Sequence, residues 1–195
     1  MNTRLRLWLV RHARPLIAPG LCYGRLDVAA DPADTQAAAQ ALAAALPAAV
    51  GLLWHSPLQR CELLSQSLQE LRGDLASNAE PRIAELDFGN WEGQPWEAIG
   101  RAEIDAWTAD FCHHAPGGGE SLAAMLQRVG QALEAAAALA AQHHAQDLVW
   151  ITHAGVARCV QWLLAHGPQR QPLAAEWPRE APAWGAWQTV ALPMR

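Results

Sequence analysis

Three short runs, Leu5 to Val10, Val50 to Trp54 and Leu148 to Thr152, are almost wholly apolar and do not alternate with polar residues. Each is followed, at once or after a loop, by a stretch of helical character. Short continuous apolar runs separated by helices are the pattern of a mainly parallel sheet covered on both faces. The chain therefore reads as α/β, a three-layer α/β/α sandwich. Its 195 residues make one domain over 1–195 the default. Hydrophobic residues at 51% against 17% charged supply enough apolar material for one core and argue against disorder.

Local signals place the remaining elements. Asp31-Pro32 reads as an N-cap followed by proline at the first helical position, opening an Ala-rich helix from Ala33 to Leu46. Ser56-Pro57 with Gln59 reads as a capping box for a helix continuing from Cys61 to Leu71. Glu120 to Gln142 and Ala154 to Ala165 read as further helices, and Trp187 to Leu192 as a last strand. Pro81 to Leu86 is short and ambiguous. Asp87 to Gly119 reads as loop with one helix, and Pro168 to Pro182 as loop.

In a parallel α/β sheet, ligands bind beyond the carboxyl ends of the strands. The first run ends in Arg11 and His12. The second leads to Ser56, with Arg60 one turn into the next helix. The third ends in His153, just before a helix start that adds free N–H donors and partial positive charge. Two arginines and two histidines on one edge describe a site for a compact dianion, and phosphate fits best. Arginine suits phosphate because its planar fork makes two parallel hydrogen bonds. Binding alone does not call for histidine, but a neutral imidazole beside a neutralised phosphate is a competent nucleophile. Glu85, Asp87 and Glu92, in "ELDFGNWEG", are the candidate acids.

Five segments carry a resemblance. "LVRHARP", "SPLQRC", "ELDFGNWEG", "PGGGES" and "ITHAGVAR" follow one another from Leu7 to beyond Arg158. In that order they resemble the histidine phosphatase superfamily, the phosphoglycerate-mutase-like fold. The resemblance implies a metal-independent phosphatase in which His12 is the nucleophile, Glu85 the proton donor, and Arg11, Arg60 and His153 the phosphate pocket. It implies no cofactor. Tyr23 and Gly24 match a substrate-facing loop of that family. "GLCYGRLDV" and the chain length are most similar to the α-ribazole phosphatases of cobalamin assembly. Ala13, Arg14 and Pro15 stand where the family carries glycine, an acidic residue and Ser or Thr, so no phosphate contact is carried over to them.

Other features receive plainer readings. The net charge of −5 offers no basic face for nucleic acid. The apolar stretch after Arg4 and Arg6 is too short for a signal peptide or a membrane span. Cys22, Cys61, Cys112 and Cys159 are scattered and read as thiols of a reducing compartment, so the chain reads as cytoplasmic. His113-His114 and His143-His144 point to different faces and make no chelate. No carboxylate cluster has Mg²⁺ spacing. Trp91 and Trp96 are candidates for stacking on an aromatic substrate, with core packing as the plain alternative. The sequence points to a small-molecule phosphomonoester as partner and leaves the oligomeric state open. The rivals are a sugar phosphatase or mutase on the same scaffold and a non-catalytic phosphate-binding module.

Overall fold

The computed structural model describes residues 5–192. Its sheet contains β1 (Leu5–Arg11), β2 (Leu52–His55), β3 (Ser77–Ala79), β4 (Asp147–Thr152) and β5 (Trp187–Leu192), in the order β3-β2-β4-β1-β5. The first four are mutually parallel, and β5 runs antiparallel to β1. Helices α1 (Pro32–Ala45) and α2 (Gln59–Leu71) cover one face, and α4 (Leu122–Gln142) and α5 (Ala154–His166) the other. The short α3 (Arg101–Ala109) lies in the long connection before α4. This is the α/β/α sandwich read from the apolar runs.

The period-two geometry of a strand explains why the central runs are apolar throughout. Leu7 and Leu9 of β1 join the core under α4 and α5, while Trp8 and Val10 join the core under α1 and α2. Every residue of β4 is buried. Its one charge, Asp147, accepts from Trp8 Nε1 at 2.8 Å and pairs with Arg6 at 2.8 Å, so the buried carboxylate is compensated. Among the described residues no helix is long and apolar enough to cross a membrane.

Asp31 caps α1 as its sequence predicts, accepting from the amides of Ala33 and Asp34, with Pro32 at the first position. Ser56 does not cap α2. That helix starts at Gln59 without a side-chain cap from its own N-cap residue, and the Ser56 hydroxyl is engaged by His153 instead. Asp27, from the distant loop, accepts the Gln59 amide at 2.8 Å in its place. Nothing in the sequence marks strand β3: three residues, Ser-Asn-Ala, at the sheet edge carry neither hydrophobic period nor propensity.

Because β4 lies between β2 and β1, the carboxyl ends of these three strands stand side by side, at neighbouring-strand spacing. Ser56, His153 and His12 each follow one of those ends. The topology thus gathers residues 97 and 141 positions apart in sequence onto one edge.

Candidate active site

His12 is 2% exposed. Its backbone amide donates to Thr152 O at 3.1 Å, which ties it across to the end of β4. Its Nδ1 lies 2.7 Å from the carbonyl of Ala13. A carbonyl only accepts, so Nδ1 carries the proton and Nε2 keeps the lone pair. Burial, then the charges of Arg60 and Arg11, push the His12 pKa down to about 3. The ring is therefore neutral at neutral pH, the state a nucleophile requires.

His153 follows β4 and immediately precedes α5. Its ring centroid is 5.1 Å from that of His12. Nε2 is 2.8 Å from Ser56 Oγ and 3.5 Å from Cys61 Sγ. Burial, then Arg60 and His12, hold its pKa well below the ordinary value. The Cys61 thiol is pushed up to about 12, chiefly by burial, so it packs against the ring as a neutral group.

Arg60 enters from the first turn of α2 and is fully buried. Nη1 donates to Leu26 O at 2.9 Å and Nη2 to Gly24 O at 2.5 Å. Its guanidinium lies over the Tyr23 ring, 5.6 Å from the centroid. Arg11 donates Nη1 to Pro182 O at 3.2 Å and lies 5.4 Å from the ring centroid of Trp184. Neither arginine makes an ion pair among the described residues, and each keeps a buried Nε without a hydrogen-bond partner among them. Buried cations held only by neutral carbonyls are costly unless an anion joins them. Such an arrangement can hold a dianion.

The three candidate acids separate cleanly. Glu92 accepts from the amides of Arg25 at 2.8 Å, Phe88 at 2.9 Å and Leu26, and so staples two loops together. Asp87 accepts from the Gly89 amide at 2.8 Å and shapes its own turn. Glu85 alone reaches the start of α5: Oε2 accepts from Gly155 N at 3.0 Å and Oε1 from Leu86 N at 3.0 Å. A Cβ on Gly155 would sit 2.1 Å from Glu85 Oε1, so this approach requires glycine. Behind the loop, Arg128 donates to the carbonyls of Arg82, Ala84 and Glu85 and pairs with Glu120.

Gly24 is buried, and a Cβ there would lie 1.9 Å from Leu86 O. It provides close packing and a carbonyl for Arg60, while Tyr23 supplies the ring beneath that arginine. The unusual Arg14 and Pro15 face the start of α1. Arg14 pairs with Asp31 at 2.8 Å and Asp34 at 2.9 Å, and Pro15 bridges to Ala30. "PGGGES" is a packing turn: Gly89 has φ +53°, and a Cβ there would be 2.3 Å from Gly117 O. Trp91 is 3% exposed and packs with Cys22 and Ile99, so it is core and cannot stack on a ligand from the surface. Trp96 is partly exposed, edge-on to Phe88 and Trp91.

Two residues near the site escape the sequence reading. Arg158 lies about one turn into α5 from Ala154; it donates Nη2 to Arg179 O at 3.1 Å, and its charge adds to burial, the main cause, in lowering the Arg11 pKa. Its i+4 spacing from Ala154 in "ITHAGVAR" is a signal that points to it. Trp184 lies in a Pro/Trp-rich loop whose sequence has no period, and nothing local marks it.

Among proteins of curated function, none matches the sequence. Solved structures do. The α-ribazole phosphatase of Shigella flexneri superposes with a TM-score of 0.78 at 25% identity, covering 97% of this chain and 91% of that one. The protein TTHB049 of Thermus thermophilus gives a TM-score of 0.68 at 29% identity, covering 98% and 96%. A mycobacterial glucosyl-3-phosphoglycerate phosphatase gives 0.70 at 22%, covering 95% and 89%, a likeness of fold alone. The family model of the histidine phosphatase superfamily (branch 1) matches residues 7–184. The chain belongs to the histidine phosphatase superfamily, whose enzymes are metal-independent phosphomonoesterases.

Proposed function

We propose that this phosphatase works through a phosphohistidine at His12 and that α-ribazole 5′-phosphate is its preferred substrate. The observation that carries the mechanism is the His12 ring: neutral, with Nδ1 committed to Ala13 O, beside two guanidinium groups that lack a counter-anion among the described residues. In the first step Nε2 attacks phosphorus in line. The bond from phosphorus to the ester oxygen breaks, and the electron pair leaves with that oxygen, which takes a proton from the Glu85 carboxyl. Arg11, Arg60 and His153 hold the equatorial oxygens, where most of the catalysis of phosphoryl transfer resides. In the second step the Glu85 carboxylate takes a proton from water. The water oxygen attacks phosphorus, the P–N bond breaks, and inorganic phosphate and neutral His12 return.

The substrate reading is supported by "GLCYGRLDV" and by the likeness to the Shigella flexneri α-ribazole phosphatase. The test is a panel of phosphomonoesters ranked by kcat/KM. α-Ribazole 5′-phosphate should exceed ribose 5-phosphate and other simple sugar phosphates by at least about tenfold, roughly 1.4 kcal/mol in the transition state. Equal values across the panel would leave a general phosphatase. Activity that appears only with a bisphosphorylated sugar-acid primer would instead make it a mutase.

A further inference from the structure

Beside Trp184, the ring over which Arg11 lies, the surface opens into a cavity of about 440 Å³. Small residues, Ala37, Ala38 and Ala183 among them, line it together with Trp184. The ion pair of Arg14 with Asp34 stands at the rim. The volume lies within the range of small-molecule sites, roughly 300–1,000 Å³. Trp184 is 48% exposed, an unusual place for so large an apolar ring unless something covers it.

The ring is not on a loose loop. The segment 179–186 is strapped down at several points. Arg158 donates to Arg179 O, Arg11 Nη1 donates to Pro182 O, and Arg11 N donates to Ala186 O at 2.9 Å. Gly185 N donates to His12 O at 3.0 Å. Gly185 has φ +71°, and a Cβ there would come within 3.0 Å of the Ala38 Cβ, so glycine lets the strap close onto α1. The Trp184 ring therefore meets the Arg11 guanidinium and also borders the cavity. A nucleotide carries its ring a few bonds away from its phosphate, which matches this juxtaposition.

The geometry points to this cavity as the seat for the planar heteroaromatic base of a nucleotide-like monoester, stacked on Trp184 with its phosphate on Arg11. The inference rests on the phosphatase reading of the same site and adds the substrate class and the residue that selects it. Among the rings near the two arginines, Trp184 is the one that borders this space; Tyr23 is half-buried beneath Arg60.

The test compares α-ribazole 5′-phosphate and adenosine 5′-monophosphate with ribose 5-phosphate. All three release the same primary alkoxide, so the ratio of kcat/KM with a base to kcat/KM without one reads the base alone. Trp184→Ala should shrink that ratio by about tenfold, mostly through KM, as expected for loss of one stacking partner. Trp184→Phe should restore most of it. Ala37→Leu, a helix-compatible change at an exposed position, should shrink the ratio by filling the cavity. If Trp184→Ala lowers all three substrates equally, the ring merely props Arg11 and the proposal is overturned. An unchanged ratio in both Trp184→Ala and Ala37→Leu overturns it as well. A wild-type enzyme that prefers adenosine 5′-monophosphate, with a ratio that still collapses in Trp184→Ala, supports the base seat while refuting the α-ribazole reading.

Discussion

Arg60 and Arg128 are both drawn into the protein and both hold backbone carbonyls, yet only Arg128 is neutralised. Arg128 meets Glu120 with two parallel bonds of 2.7 Å and spends its remaining donors on the carbonyls of Arg82, Ala84 and Glu85. Arg60 has two carbonyls, a buried Nε without a partner among the described residues, and no carboxylate among them. The first is a finished structural brace. The second carries a charge whose complement must arrive from outside. Arg6, Arg14, Arg72, Arg82, Arg101 and Arg170 are ion-paired like Arg128, whereas Arg11 and Arg158, like Arg60, keep a buried Nε without a partner among the described residues; Arg25 and Arg179, also without an ion pair among them, lie exposed. In a chain with net charge −5, Arg11 and Arg60 thus stand out as cations without an ion pair among the described residues at the carboxyl edge of the sheet.

The largest expected effect follows from removing the unfinished arginine. Arg60→Met should lower kcat/KM by about 10³-fold or more, the usual worth of a guanidinium on a transferring phosphoryl group. Its stability should change by only about 1 kcal/mol, because losing an uncompensated charge offsets orphaning the Gly24 and Leu26 carbonyls. Inorganic phosphate should raise the unfolding temperature of the wild type and not of this variant. A variant that unfolds without phosphate would break the comparison, by making Arg60 a brace like Arg128.

Arg128→Met should show the converse. Taking one partner from a mostly buried pair leaves Glu120 uncompensated and costs about 3 kcal/mol, some 6–12 °C for a chain of this size. Thermal unfolding measures it directly. A midpoint equal to that of the wild type would mean that solvent already screens the pair.

Gly155→Ala sharpens the comparison at the acid. The added methyl would lie 2.1 Å from Glu85 Oε1, so the carboxylate must move. Alkyl phosphates, whose leaving groups need a proton, should lose about 10²-fold in kcat. The pre-steady-state burst of nitrophenolate from p-nitrophenyl phosphate should fall much less. Equal losses in both assays would make Glu85 a packing group.

The pH dependence of stability tests the burial of the same site. His12 titrates near 6.5 when unfolded and is pushed down to about 3 when folded. Between those values the unfolded chain holds more protons, so unfolding is favoured as pH falls. The stabilisation is present above about pH 6.5 and is lost progressively toward pH 3, by up to about 1.4 kcal/mol per unit. His153, depressed in the same direction, adds to the slope. The unfolding temperature of the wild type should fall more steeply than that of His12→Asn as pH falls across this window; parallel curves would contradict the burial effect.

Local grammar makes much of this legible. Apolar runs longer than a turn, an Asp-Pro helix start, and polar residues placed just past a strand announce themselves in neighbouring residues. That is why β1, α1, β4 and the edge bearing Arg11, His12, Arg60 and His153 can be read directly. What is not legible depends on contacts far along the chain. Ser56 looks like a cap until His153, 97 positions away, takes its hydroxyl. Glu85, Asp87 and Glu92 look alike until the Gly155 amide, 70 positions on, meets only one of them. Trp91 and Trp184 differ in burial, and nothing in the residues flanking either one marks the difference.

In the proposed mechanism His12 accepts the phosphoryl group through Nε2, because Nδ1 is committed to the carbonyl of Ala13. Rapid mixing with ³²P-labelled substrate, alkaline quenching and peptide mapping would locate the label and identify the nitrogen that bears it. Phosphate is expected on Nε2 of His12, transient in the wild type and absent from His12→Ala. Phosphate on Nδ1, on His153, on Ser56 or on a carboxylate would contradict it.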